Sequence, residues 1–295
     1  MRKAILLISL LLFLINTEDV YSSQQENKND DVLLVVHYNH PYYESMEFIK
    51  NLYSSIYPNI VFYGEKKAQD VIEITTHIGF FFSRVVADAL VRFPDYKGYL
   101  FLQDDVLMNY WNYSNLDKEK IWFSISLYTP QMDIPPSWDT NYNRKRASEE
   151  FYYAKADGSD SDDWYWWKKP SGLHPAMRAF RRLKPKDRLI LERNIGSNRL
   201  AAMVCDMFYL PKKFSQDAIR LSKIFKNVFC EISIPTMLNC LDDISNWELL
   251  KALWGFGGGG DVYYPMDIHW AHALKFSRSI DRDFAERIIK ENVTE

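Results

Sequence analysis

The sequence predicts an α/β fold: a mixed, mostly parallel sheet flanked by helices in a single domain. Three observations carry this reading. Short apolar, β-branched runs alternate with segments of helical spacing through residues 31–103, as expected for strands joined by helical crossovers. The first run, Asp31-Val-Leu-Leu-Val-Val-His37, is apolar between its polar ends and does not alternate with polar residues, as in a strand buried on both faces. Hydrophobic residues make up 47% and charged residues 25% of the 295, which leaves enough apolar surface for one sizeable core.

Residues 1–22 open with Arg2-Lys3 and the apolar run Ala4 to Ile15. The run is shorter than the roughly 20 residues that span a bilayer. It reads as a signal peptide or a short signal anchor, the latter giving a type II membrane protein. Residues 23–30 read as a polar stem, and residues 31–295 as one luminal domain. The expected location is the secretory pathway lumen (Golgi or ER) or the exterior, with membrane contact only through that N-terminal segment. Secretion implies an oxidising compartment. Three cysteines, Cys205, Cys230 and Cys240, allow at most one disulfide, and spacing selects no pairing. Sequons begin at Asn112 and Asn292. The net charge of −3 offers no footprint for nucleic acid. A phosphate-bearing ligand would need a local basic site.

Along the chain, Asp31 to His37 reads as a buried strand, and Pro41 to Tyr57 carries helical spacing. Asn59 to Tyr63 is a second strand closed by Gly64, and Val71 to Thr75 a third. Phe80 to Phe93 is a helix that Pro94 stops. Gly98 to Gln103 is an apolar strand running into Asp104-Asp105. Ile121 to Leu127 reads as a strand, while residues 130–163 lack periodicity and end in a polar loop, Ala156 to Asp163. Leu173 to Leu183, Ser215 to Phe225, Cys230 to Leu241 and Asp281 to Ile289 read as helices, and Ala201 to Leu210 as one strand. Gly257 to Gly260 is a four-glycine loop without the strand–Gly-x-Gly-x-x-Gly–helix context of a dinucleotide site. Asp267 to Ser277 carries His269 and His272.

The chemistry centres on Asp104-Asp105. Ligands of open α/β sheets sit outside the carboxyl ends of the strands, and this pair lies at such an end. Two carboxylates there suit a hard divalent cation, Mn²⁺ or Mg²⁺, which keeps substrate phosphates among its ligands. An Asp pair can equally cap a helix.

Tyr99-Leu-Phe-Leu-Gln-Asp-Asp-Val-Leu107 resembles the acidic-motif strand of glycosyltransferases with the GT-A fold, in particular the exostosin-like C-terminal domain. That motif carries three aspartates, and Gln103 replaces the first. The resemblance implies a GT-A-like sheet and a luminal, metal-dependent enzyme. It would move a sugar from a nucleotide sugar, expected to be UDP-linked, to a glycan or glycoprotein acceptor. It implies Asp104, Asp105 and His272 as metal ligands. It places Asp104, Lys275, Tyr38, Asn39, Glu65 and Arg84 around the nucleotide and diphosphate. Glu231, in the acidic helix start Phe229-Cys-Glu-Ile-Ser, falls where this fold faces the acceptor and the reacting carbon, as base or charge stabiliser. His269 competes with His272, and Asp242-Asp243 with Glu231. The cluster Trp164-Tyr165-Trp166-Trp167 suits stacking against a sugar ring or burial in the core. Gln103 marks the alternative, a catalytically inactive sugar- or partner-binding protein of the same fold.

Overall fold

The computed structural model describes residues 29–128, 151–254 and 264–293. The N-terminal apolar run, most of the stem, Gly257 to Gly260 and the last residue of the second sequon lie outside them. Among the described residues no helix is long and apolar enough to cross a membrane.

The strands are β1 (Val32–His37), β2 (Ile60–Gly64), β3 (Val71–Glu73), β4 (Gly98–Gln103), β5 (Val106–Met108), β6 (Trp122–Tyr128), β7 (Tyr152–Lys155), β8 (Arg199–Ala202), β9 (Met207–Pro211), β10 (Glu248–Trp254) and β11 (Trp270–His272). The α-helices are α1 (Met46–Tyr53), α2 (Ser83–Arg92), α3 (Leu173–Arg181), α4 (Pro185–Ile195), α5 (Ser215–Phe225), α6 (Cys230–Leu238) and α7 (Ser279–Val293).

The main sheet runs β3-β2-β1-β4-β9-β6-β10-β11-β5, and β7 and β8 form a small second sheet. The main sheet is mostly parallel, with β9 and β5 running against their neighbours. It is curled. β4 and β5 are separated by only Asp104 and Asp105, yet β5 closes the far edge of the strand order. The acidic pair therefore links the middle of the sheet to its distant edge. Helices flank this sheet, and the architecture is a mixed α/β single domain consistent with a GT-A-like fold.

The core explains why these runs became strands. Every residue of β1, β4 and β9 is buried. Phe101 and Phe208 stack across the β4–β9 pair at 4.8 Å, with Phe82 of the α2 approach edge-on. Trp270 is fully buried and donates its indole N–H to Ser124 Oγ at 2.9 Å. Helix α2 packs on α5, and α6 packs on β8.

One expectation is revised. The single strand expected over Ala201 to Leu210 is two. Residues 203–206 break it, so β8 pairs with β7 while β9 enters the main sheet. Within the histidine-bearing segment Asp267 to Ser277, Trp270–His272 form strand β11, paired with β10 and β5.

Candidate active site

Strand register brings the site together. β1, β2 and β4 are parallel, so His37, Gly64 and Gln103 end at one edge of the sheet. β9 is antiparallel to β4 and β6 antiparallel to β9. β6, β10 and β11 therefore regain the direction of β4, and His272 ends at the same edge. Register then sets the neighbours. β1–β4 pairs His37 with Gln103, and the Asp104 N–H donates to the His37 carbonyl at 3.0 Å. β4–β9 pairs Leu102 with Met207, and the Gln103 N–H donates to the Asp206 carbonyl at 2.9 Å. β5–β11 pairs Val106 with His272, and the Leu274 N–H donates to the Asp105 carbonyl at 2.7 Å.

Four charged side chains meet as a result. His272 Nε2 lies 3.4 Å from Asp105 Oδ1, and its Nδ1 lies 3.5 Å from Asp206 Oδ2. Lys275 Nζ donates to Asp105 Oδ2. The lysine is fixed at its backbone, where its N–H donates to Asp281 Oδ2 at 2.7 Å just inside α7. Asp105 and Asp206 are buried, and His272 is largely so. Burial raises the Asp105 carboxyl, but His272 and Lys275 outweigh it and hold the group well below the usual range. Burial lowers His272, but Asp206 and Asp105 outweigh it and raise the imidazole to about 9. Burial raises Asp206 despite His272. The cluster is thus an anionic carboxylate between an imidazolium and an ammonium.

The two aspartates have different partners. Asp104 accepts the Asn39 N–H on Oδ1 at 3.1 Å. Burial, followed by the charge of Asp105, pushes Asp104 up to about 7. Asn39 also donates from Nδ2 to Gln103 Oε1 at 2.5 Å, so Gln103 positions the loop after β1.

Tyr38 is buried with its hydroxyl on Ser45 Oγ at 2.8 Å. Glu65 Oε1 accepts the Thr76 N–H at 2.8 Å and so holds the turn before Gly79. Arg84 is committed to the Thr75 and Lys226 carbonyls and to Asn227 Oδ1, tying α2 to the α5–α6 turn. Glu231 lies in the first turn of α6, its carbonyl accepting the Met203 N–H at 2.8 Å. It faces the break between β8 and β9 that carries Asp206. His269 Nδ1 accepts the Lys251 N–H at 2.9 Å and its ring stacks on Tyr113, a structural role. Asp243 caps the short turn at Ser245. Trp164 and Trp167 are buried, while Trp166 is half-buried and stacks on Phe229 at 4.2 Å. The Asn112 amide donates to the Met266 and Ile268 carbonyls.

Sequence reasoning missed Asp206. Its signal was a lone carboxylate in the apolar run Met203-Val-Cys-Asp-Met-Phe-Tyr-Leu210, where a buried acid needs a partner.

This chain is similar to two probable glycosyltransferases. They are the Probable glycosyltransferase STELLO2 of Arabidopsis thaliana, 21% identical over 220 residues, and STELLO1 of the same plant, 24% identical over 222 residues. Each alignment covers 74% of this chain. The chain spans about a quarter of the length of these relatives, 26% and 25%. No family model matches.

Proposed function

We propose that the chain is a metal-dependent glycosyltransferase whose nucleotide-sugar diphosphate lies over the Asp104–Asp105 link. The observation that carries this reading is the convergence of Asp105, Asp206, His272 and Lys275 at the carboxyl edge of the sheet, where α/β sheets bind ligands. The similarity to two probable glycosyltransferases supports the same reading.

The donor set suits a divalent cation. Asp105 Oδ1, Asp206 Oδ2 and His272 Nδ1 are buried and have only the long ion-pair contacts with one another through the imidazole, at 3.4 and 3.5 Å, and carboxylate oxygen with imidazole suits Mn²⁺ or Mg²⁺. Among the described residues no three His, Cys, Asp or Glu side chains form a ready-made cage, so loading must rearrange the cluster. Asp105 and His272 would hold the ion, with Asp206 behind them and Asp104 on the nucleotide side. An imidazolium cannot ligate a cation, so His272 must first give up its proton. When bound, the metal supplies positive charge against the diphosphate. Lys275 adds a second cation that can turn to a phosphate. Asn39 presents a backbone loop at the end of β1 for the nucleoside. Glu231 stands at an α6 start beside the same edge, suited to an acceptor hydroxyl. A UDP-sugar donor, a glycan or glycoprotein acceptor and a luminal location complete the proposal.

The test is release of UDP from a panel of UDP-sugars by the full chain with Mn²⁺, with and without glycan acceptors. Acceptor-dependent release that EDTA abolishes supports transfer. Release at one rate with and without every acceptor would mean hydrolysis instead. A second reading, binding without turnover, is favoured by Gln103, which stands where the motif has an aspartate and is engaged by Asn39. UDP binding with no release from any sugar would select it.

A further inference from the structure

Cys205 and Cys230 are both buried, at 0% and 5% exposure, and both are thiols in this structure. Their side chains are within hydrogen-bonding reach of each other. The backbone around them is firmly set. The Met203 N–H donates to the Glu231 carbonyl at 2.8 Å, and Thr236 Oγ1 bonds both the N–H and the carbonyl of Ala201, at 3.2 and 3.0 Å. The β8–β9 break and the first turns of α6 thus run side by side. Cys240, the third thiol, lies elsewhere, among the charges of Asp187 and Arg220.

We propose that Cys205 and Cys230 form a disulfide when the chain folds in an oxidising medium, and that Cys240 remains a thiol. Each cysteine directly precedes a carboxylate of the candidate site, Asp206 and Glu231. The bond would therefore lock the strand break carrying Asp206 to the helix start carrying Glu231. Both thiols lose a proton and together give up two electrons. A disulfide-form thiol oxidant, here glutathione disulfide, accepts the electrons and leaves as two glutathione thiols. Exchange precedes final packing. In the packed state burial pushes the Cys205 thiol far up, and at Cys230 the lowering hydrogen bond from Cys205 is outweighed by burial together with the charges of Glu231 and Asp206, so neither becomes a reactive thiolate. The ring is short, since 205 and 230 are 25 positions apart. The inference is independent of the proposed transferase activity.

The test is to refold the reduced full-length chain in a reduced/oxidised glutathione buffer and block thiols with N-ethylmaleimide under denaturing conditions. Peptides are then mapped without reduction. The expected result is one blocked thiol per chain, at Cys240, and a linked peptide pair containing Cys205 and Cys230. Three blocked thiols, or a link that includes Cys240, would overturn the proposal. A stability readout checks the same bond. Reduction should lower the Tm by roughly 5–10 °C, the size expected for a ring of this length. The shift should vanish in Cys205→Ser and persist in Cys240→Ser. A shift that persists in Cys205→Ser also overturns it.

Discussion

His272 Nε2 stands 3.4 Å from Asp105 Oδ1 because β11 and β5 are paired so that His272 faces Val106, the residue after the aspartate. Two residues far apart in the chain become neighbours through a three-residue strand pair. The contact joins the acidic link to the last strand of the site, and substitutions on either side of it have measurable effects.

Asp105→Asn keeps the shape of the side chain and removes the charge that holds His272 and Lys275. The proposed metal–diphosphate site should then weaken UDP binding in Mn²⁺ by at least about tenfold, or about 1.4 kcal/mol. Equal affinity for the variant and the parent chain, measured by competition with a fluorescent UDP analogue, would remove Asp105 from the site.

Asp206 is the largest influence raising His272. Asp206→Asn takes away that charge and should lower the His272 midpoint from about 9 towards ordinary histidine values. Imidazole NMR titration of the metal-free chain reads the change directly. An unmoved midpoint would mean that Asp206 does not control the imidazole.

Burial lowers His37 from 6.5 to about 4, and its Nε2 bonds Thr76 Oγ1 at 3.1 Å. The folded chain therefore holds it neutral, while the unfolded chain binds a proton below pH 6.5. The resulting stability is complete above pH 6.5 and is lost as pH falls towards 4. The full loss is of the order of 3 kcal/mol by linkage. Urea denaturation between pH 7 and 4.5 should give a steeper decline for the parent chain than for His37→Gln. Parallel curves would contradict it.

Gly79 has φ +85°, and a Cβ placed there would stand 1.9 Å from Asn39 Oδ1. Gly79→Ala should cost about 1–3 kcal/mol through strain and collision. It should also displace Asn39, which bonds both Asp104 and Gln103. Denaturation midpoints test the first effect and UDP affinity the second. A neutral substitution in both assays would show that the Asn39 loop has other freedom.

Much of the fold was legible because burial on both faces writes itself into the sequence. β1, β4 and α2 emerge directly from apolar runs and helical spacing. β5 and β11 have three residues each, too few for any period to show. The strand break at residues 203–206 lies inside a run that is apolar apart from Asp206, too weak an interruption for composition to mark two strands. The same limit applies to the site. Asp104-Asp105 is visible as a pair, but pairing decides that one aspartate faces Asn39 and the other His272 and Lys275. Asp206 was hidden because its partner is supplied by β11, 66 positions later by residue number. Arg84 and Glu65 look like ligand contacts in sequence, yet their hydrogen bonds go to neighbouring turns: Arg84 to the Thr75 and Lys226 carbonyls and Asn227 Oδ1, and Glu65 to Thr76.

The most direct test of the central claim is calorimetric titration of UDP into the full chain with and without Mn²⁺, repeated on Asp105→Ala with His272→Ala. Binding that requires Mn²⁺ in the parent chain and disappears in the double variant, with far-ultraviolet circular dichroism unchanged, is the expected result. Equal UDP binding by the folded double variant, or binding indifferent to Mn²⁺, would contradict it.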